Sequence, residues 1–303
     1  MPAVGRAACR AVDPEGLIHG ADDLPRTQWQ PLATGLHRYL LLDGAQCDAP
    51  QAVLQFLPHA ASRLFDGLLA DGSADTSVYL SRLPPELPAE AVLLRLDGHA
   101  RALGAATVIE SGLTQDVLLQ RLSRRLDARY PNGKEFLARF YDGRVLPWWV
   151  QALDPEQRDA FLAVGERWHY VTHDHRWDTL ALTCPAIDPH LLPWTLEAEQ
   201  RRVLIDAAYP YTLIEHYQLT DPELLDRLPS ANWYRFLRGA VALAARFGIE
   251  DSRRVLMVCT WALLAGDDLA DDPAWQQRLQ DFADGRRTAK QIGDAVWPME
   301  ETW

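Results

Sequence analysis

Three stretches of this sequence hold side chains of the types that do chemistry. The first is His169, His173 and His175, with Asp174 between the last two. If Thr172–His175 forms a turn between strands, these imidazoles converge, and neutral imidazole is a good zinc ligand. A metal centre also needs a further ligand and partners that orient the rings. No second His/Asp cluster of similar density is evident, although Asp178 and His190 are close in sequence. The plainer reading, a polar hairpin with exposed histidines, is preferred. A metal-dependent hydrolase using His169, His173 and His175 is kept as the alternative.

The second stretch runs from Asp267 to Asp272 and contains a D-D-x-x-D pattern. It resembles the pattern with which isoprenoid synthases hold magnesium around a diphosphate, carboxylates being suited to that hard cation. Here, however, the pattern runs straight into Pro273 between two short helices, with no matching motif elsewhere. The expected role is an acidic loop whose Asp272 caps the next helix. The third stretch is Arg139-Phe140-Tyr141-Asp142-Gly143-Arg144, followed by Trp148-Trp149. Two arginines flank an aspartate, and a buried Asp142 taking hydrogen bonds from Arg139, Arg144 or backbone amides would lock a corner. No base is placed for catalysis. The reading is structural, with partner contact second. The tryptophans Trp148, Trp149, Trp194 and Trp233 are candidate anchors for a partner wherever one is exposed.

Cheap enzymatic assignments are missing. The chain has no G-x-S-x-G elbow, no phosphate-binding glycine loop and no H-E-x-x-H pair. No enzyme and no cofactor is expected. The 303 residues carry a formal net charge of −12. Residues 1–150 hold 17 acids against 15 bases, so most of the negative charge lies in the second half. Such a surface repels nucleic acid. Only Lys134 and Lys290 are lysines; the other 28 basic residues are arginines. A GC-rich genome explains that bias, but so would many bidentate or stacked contacts, for which Arg is better suited than Lys. The longest apolar stretch, Val255–Ala265, is too short for a membrane span. No secretory signal is expected, and four scattered cysteines give neither a disulfide framework nor a zinc ribbon. A cytoplasmic location follows as the expectation.

The elements that must position these residues read as follows. Leu36–Asp43, Ser77–Leu83 and Ala106–Ser111 are strand candidates, with Gln51–Leu57 and Ala61–Ala70 as short helical pieces between them. Thr114 opens a helix whose Leu118, Leu122 and Leu126 recur on one face, while Arg121, Arg124, Arg125 and Arg129 take the others. Glu135–Asp142 reads as a strand. Asp154-Pro155-Glu156-Gln157 is a capping box with proline at the first helical position. Arg167–Val171 and Trp177–Leu182 are two further strands. Three prolines within Cys184–Pro193 mark a boundary. Beyond it the pattern is helical: Leu196–Tyr217 with a break or kink at Pro210, a helix capped by Ser230 and closed at Gly248-Ile249, and others opened by Asp251, Asp272 and Thr288. The expected fold class is α+β, a mixed α/β lobe with a small sheet followed by a helical C-terminal lobe. The expected division is a loosely ordered leader over 1–35, an α/β lobe over 36–183, a Pro-rich linker over 184–195 and a helical lobe over 196–303.

The order of these pieces resembles the effector chaperones, or adaptor proteins, of type VI secretion systems, a family found beside spike and toxin genes. The blocks that carry the likeness are YLLLDGA at Tyr39–Ala45, SRLFDG at Ser62–Gly67, SVYLSRL at Ser77–Leu83 and Thr107–Arg129. FLARFYDGRVLPWWVQALDPEQRDAFLA at Phe136–Ala163 is the most diagnostic. There the family shows an Arg–aromatic–aromatic–Asp–Pro–Arg corner. Gly143 stands in place of the proline, a departure expected to loosen the corner while leaving Arg139, Asp142 and Arg144 matched. RFGI at Arg246–Ile249 and DDPAW at Asp271–Trp275 are similar to its helical lobe. The resemblance spans roughly residues 37–285. It implies a non-enzymatic adaptor that binds a toxic effector, through that effector's N-terminal region, in the bacterial cytoplasm and helps load it onto the secretion spike protein. A toxin or immunity protein from the same kind of gene neighbourhood is the third reading. The expected binding region is the cleft between the lobes near Pro185–Pro193.

Overall fold

The computed structural model describes residues 31–47, 49–55, 57, 59–65, 76–85, 103–191, 193–266 and 272–296. The expected leader and Asp267–Asp271 therefore lie, wholly or largely, outside the described residues. Among those described, an antiparallel sheet forms from β1 (His37–Asp43), β2 (Ser62–Arg63), β3 (Val78–Arg82), β4 (Ala106–Ser111), β7 (Arg167–Val171) and β8 (Trp177–Ala181), in the order β2-β3-β1-β4-β7-β8. β1 is buried along most of its length because it lies between β3 and β4. That is why LLL at Leu40–Leu42 shows no polar alternation: Tyr39 and Leu41 enter one core, Leu40 and Leu42 another.

Around the sheet, α1 (Pro50–Leu54) and α2 (Gln115–Arg124) precede a small sheet of β5 (Asp127–Arg129), β6 (Glu135–Leu137) and β9 (Trp194–Thr195). α3 (Leu146–Ala152) and α4 (Pro155–Phe161) complete this lobe. Leu118, Leu122 and Leu126 are fully buried in its main core beside Phe140, Phe161 and Trp168. The helical part comprises α5 (Ala198–Thr220), α6 (Pro222–Leu225), α7 (Ser230–Arg246), α8 (Ser252–Ala265), α9 (Pro273–Ala283) and α10 (Ala289–Val296), with its own core. The fold is α+β.

Several local expectations need correction. Of the helical piece expected over Ala61–Ala70, residues 61–65 are not helical, since Ser62–Arg63 pairs with β3, and residues 66–70 lie outside the described residues. The strand expected over Glu135–Asp142 ends at Leu137. Beyond it the chain turns, because the Asp142 carbonyl accepts from the Val145 and Leu146 amides and the Asp142 carboxylate accepts from Arg144 N. Those local bonds replace a sheet ladder. α2 and α7 begin without side-chain caps from Thr114 or Ser230. Pro210 lies inside α5, which continues past it for ten residues to Thr220 rather than breaking. Asp154, Asp251, Asp272 and Thr288 cap as expected. At the end of α7, Gly248 takes φ +69° and Ile249 N donates to Ala244 O at 3.0 Å, a Schellman closure.

Candidate functional site: an arginine-locked corner, a seam and a pinned loop

The corner joins β6 to α3. Asp142 is 2% exposed. Its Oδ1 accepts from Arg144 N and Arg144 Nε, both at 3.0 Å, and its Oδ2 accepts from Arg144 Nη2 at 2.8 Å. The guanidinium thus grips the carboxylate as a fork, the strongest geometry open to this pair. That hydrogen bonding and charge outweigh desolvation and raise the Arg144 pKa above its ordinary value. Arg139 reaches Asp142 at 3.8 Å and also the buried Asp43 at 3.3 Å, linking the corner to the end of β1. Asp43 in turn accepts from Ala45 N and Gln46 Nε2.

Backbone packs tightly on this corner. A Cβ on Gly104 would sit 2.8 Å from both Asp142 Oδ1 and Arg144 Cγ, so only glycine fits there. Gly143 does not loosen the corner. Its N–H, which proline would lack, donates to Gly104 O at 2.9 Å.

From the corner a seam of rings runs into the helical part. The Arg144 guanidinium lies 5.4 Å over the Tyr211 ring. Tyr211 packs on Tyr234 at 4.5 Å, and Tyr234 meets Trp148 at 6.1 Å and His173 at 4.4 Å. Arg238 covers the other partner, 4.5 Å over the Trp148 ring. Burial raises the phenols of Tyr211 and Tyr234, the latter to about 12. Burial likewise lowers the His173 pKa below the usual histidine value. A neutral imidazole suits this ring stack, with Arg235 and Arg238 adding to the same shift.

The third feature escaped the sequence reading. Arg121 and Arg124 of α2, with Arg125 at its C-cap, reach across to the irregular segment 184–190. Arg121 Nη2 donates to Pro185 O at 2.8 Å and Ala186 O at 3.2 Å, while its Nη1 donates to Ala163 O. Arg124 Nη2 donates to His190 O at 3.1 Å. Arg125, 0% exposed, forks onto Asp188 at 3.1 and 2.8 Å and donates also to Phe161 O, Arg121 O and Ala160 O. His190 is fully buried against Trp194 at 4.3 Å. Its Nε2 donates to Arg124 O at 2.9 Å, since a carbonyl can only accept, and this fixes the tautomer. Burial, with Arg125 nearby, pushes its pKa down to about 4. The signal for this feature was the i, i+3, i+4 spacing of three arginines on a helix whose leucine face was already assigned.

The other predicted residues separate. Trp149 and Trp194 are buried in the main core, so neither is a surface anchor. Trp148 is half-buried in the seam, and Trp233 is half-buried with Nε1 donating to Leu225 O and Leu228 O. The histidines of the hairpin do not converge: His169 meets Thr179 and Glu110, whereas His173 faces Tyr234. Among the described residues, no three His, Cys, Asp or Glu side chains are placed to hold a metal ion. No helix of the described residues is long and apolar enough to cross a membrane.

The chain matches no curated protein and no solved structure at a significant level. Residues 38–160, which run from β1 through the corner into α4, match the family model of a domain of unknown function, DUF4123.

Proposed function

We propose that this chain is an adaptor that binds a toxic effector of a type VI secretion system in the producing cell's cytoplasm and helps load it onto the spike protein. The observation that carries this reading is the ordered run of family-like blocks. The one with the Arg139–Asp142–Arg144 corner falls almost entirely inside the segment matched by DUF4123, a family associated with such adaptors. The role we propose is non-enzymatic; among the described residues, the arginines and aromatics of the corner, seam and loop organise backbone and ring packing. The seam of Arg144, Trp148, Tyr211 and Tyr234 supplies a cation–aromatic joint between the sheet lobe and the helices.

Co-expression with the toxin encoded beside this gene tests the proposal. The expected result is one stable complex that survives size-exclusion chromatography. Two separately eluting species at stoichiometric mixing would end the reading. Toxicity of this chain alone in a naive host would favour a toxin instead.

A further inference from the structure

The helix α7 carries three arginines and no acid. Arg235, Arg238, Gly239 and Ala242 share one of its faces, at positions i, i+3, i+4 and i+7, and all four are exposed. The two small residues leave open space beside the guanidinium groups: a Cβ on Gly239 would meet nothing within 4 Å. Arg238 is held 4.5 Å over the Trp148 ring. Stacking occupies the face of a guanidinium and leaves the N–H donors around its edge to a partner. Arg235 gives its Nη2 to Asn232 Oδ1 at 3.3 Å. Neither arginine has a carboxylate partner among the described residues.

The turn between β7 and β8 brings a third guanidinium to the same place. His173 of that turn packs on Tyr234 of α7 at 4.4 Å. After burial, the groups that act on the His173 imidazole are Asp174, which favours its proton, and Arg238, Arg235 and Arg176, which oppose it. All three guanidinium groups therefore lie near this one ring. Arg176 is 73% exposed and pairs with Asp174 at 2.5 Å. Its backbone is fixed, since Thr172 N donates to Arg176 O at 2.7 Å and His175 N donates to Thr172 O at 3.0 Å. Three guanidinium groups thus face one carboxylate, in a chain whose formal net charge is −12. Like charges gathered on one surface repel, and an anionic partner relieves that repulsion. Carboxylates match the planar fork of arginine. A nucleic acid would bring a continuous run of phosphates that the negative charge elsewhere on the chain repels. The complement is an acidic polypeptide segment.

We propose that Arg235 and Arg238, with Arg176 beside them, receive the carboxylates of an acidic segment of the effector that lies along α7 over Gly239 and Ala242; this rests on the adaptor reading above. The test is affinity for the toxin encoded beside this gene, measured with the full chain over a range of salt. The unsubstituted chain should bind less tightly as salt rises. Arg235→Glu/Arg238→Glu should lower affinity at least about tenfold and flatten that salt dependence. Gly239→Glu separates binding from folding. It puts a better helix former into open space, four residues from Arg235, so the melting temperature should hold or rise. Its carboxylate competes for the arginines, so affinity should fall all the same. Salt-independent binding, or unchanged toxin affinity in either variant, overturns this inference and leaves the adaptor reading intact. An unsubstituted chain that fails to bind the toxin removes both. Loss of spike capture with toxin affinity intact, or capture of duplex DNA that the double variant abolishes, assigns the arginines to another partner and overturns the effector as occupant.

Discussion

At the corner, Arg144 closes onto Asp142 from two positions away; at the pinned loop, Arg125 closes onto Asp188 across 63 positions. Both pairs are forks, and both hold irregular backbone that no ladder supports. They differ in burial. The Arg144 side chain remains 33% exposed, whereas Arg125 has none of its surface in water. A guanidinium in the first setting keeps part of its hydration when its partner is lost. In the second it must find every acceptor inside the protein, and it does so through three backbone carbonyls besides Asp188. The corner's fork is therefore a local device, although Arg139 and Gly143 also tie it to Asp43 and Gly104. The loop clamp exists only once α2, α4 and the 184–190 segment have come together. One short-range pair shapes a turn; one long-range pair reports that the lobe is assembled.

The largest effect should separate the two. Arg125→Ala removes the forked partner of the nearly buried Asp188, leaving it only Arg124 at 3.8 Å, and strips donors from Phe161 O and Ala160 O. Losing one member of a buried pair costs about 3–5 kcal/mol. Arg125→Lys should rescue little, because an ammonium cannot span carboxylate and three carbonyls as a planar fork. Arg144→Ala should cost less, about 1–3 kcal/mol, because water can reach the site. Urea denaturation of the three variants reads the order directly. Equal losses at Arg125 and Arg144 would erase the distinction between buried clamp and half-exposed corner.

Acid should act on the pinned loop through His190. Unfolded, the His190 imidazole takes a proton near its ordinary value of 6.5; folded, it resists until about pH 4. Between those values the unfolded chain binds more protons. The stability this group contributes is complete above about pH 6.5 and is lost as pH falls toward 4, by up to about 3 kcal/mol. Protonation would place a second N–H on buried Nδ1, which has no hydrogen-bond partner, beside Arg125. His190→Gln should therefore show a shallower fall in melting temperature from pH 7 to 4.5 than the unsubstituted chain. Parallel curves would show that the loop is not held by a neutral imidazole.

The same contrast explains what the sequence disclosed. Strands β1, β3, β4, β7 and β8 were legible because buried runs and alternation are local. Asp142 with Arg139 and Arg144 was legible for the same reason. The strand wrongly extended to Asp142 shows the limit: Phe140 and Tyr141 are buried core residues, so their apolarity mimicked a ladder that the Asp142 turn replaces. The role of Arg121, Arg124 and Arg125 stayed hidden because, Asp188 and Arg121 O apart, their acceptors are backbone carbonyls more than 30 positions away, and carbonyls leave no sequence mark. The bias toward arginine was the trace they did leave.

The corner's own tightness gives the next test. In Gly104→Ala the added methyl meets Asp142 Oδ1 and Arg144 Cγ at 2.8 Å, and neither can retreat without loosening the fork. A loss of about 1–3 kcal/mol is expected. Gly143→Ala should be close to neutral, since its nearest neighbours stand at 3.4–3.5 Å. Gly143→Pro removes the donor to Gly104 O and should cost about 1 kcal/mol. Calorimetric melting ranks the three. A Gly143→Pro variant more stable than the unsubstituted chain would mean that the amide bond to Gly104 holds nothing.

The smallest effect tests whether the corner speaks to the helices. Trp148 sits one turn beyond the corner, under the Arg238 guanidinium of α7 and beside Tyr234. Because Arg238 is exposed, this cation–aromatic contact should be worth only about 0.5–1 kcal/mol. A double-mutant cycle of Trp148→Leu and Arg238→Gln isolates that coupling from the lost packing of each side chain. The same cycle run between Arg125→Lys and Arg238→Gln should give no coupling, because the clamp and the seam share no partner. A measurable coupling there would join the two regions into one network, and a null result at Trp148–Arg238 would leave the seam held by ring packing alone.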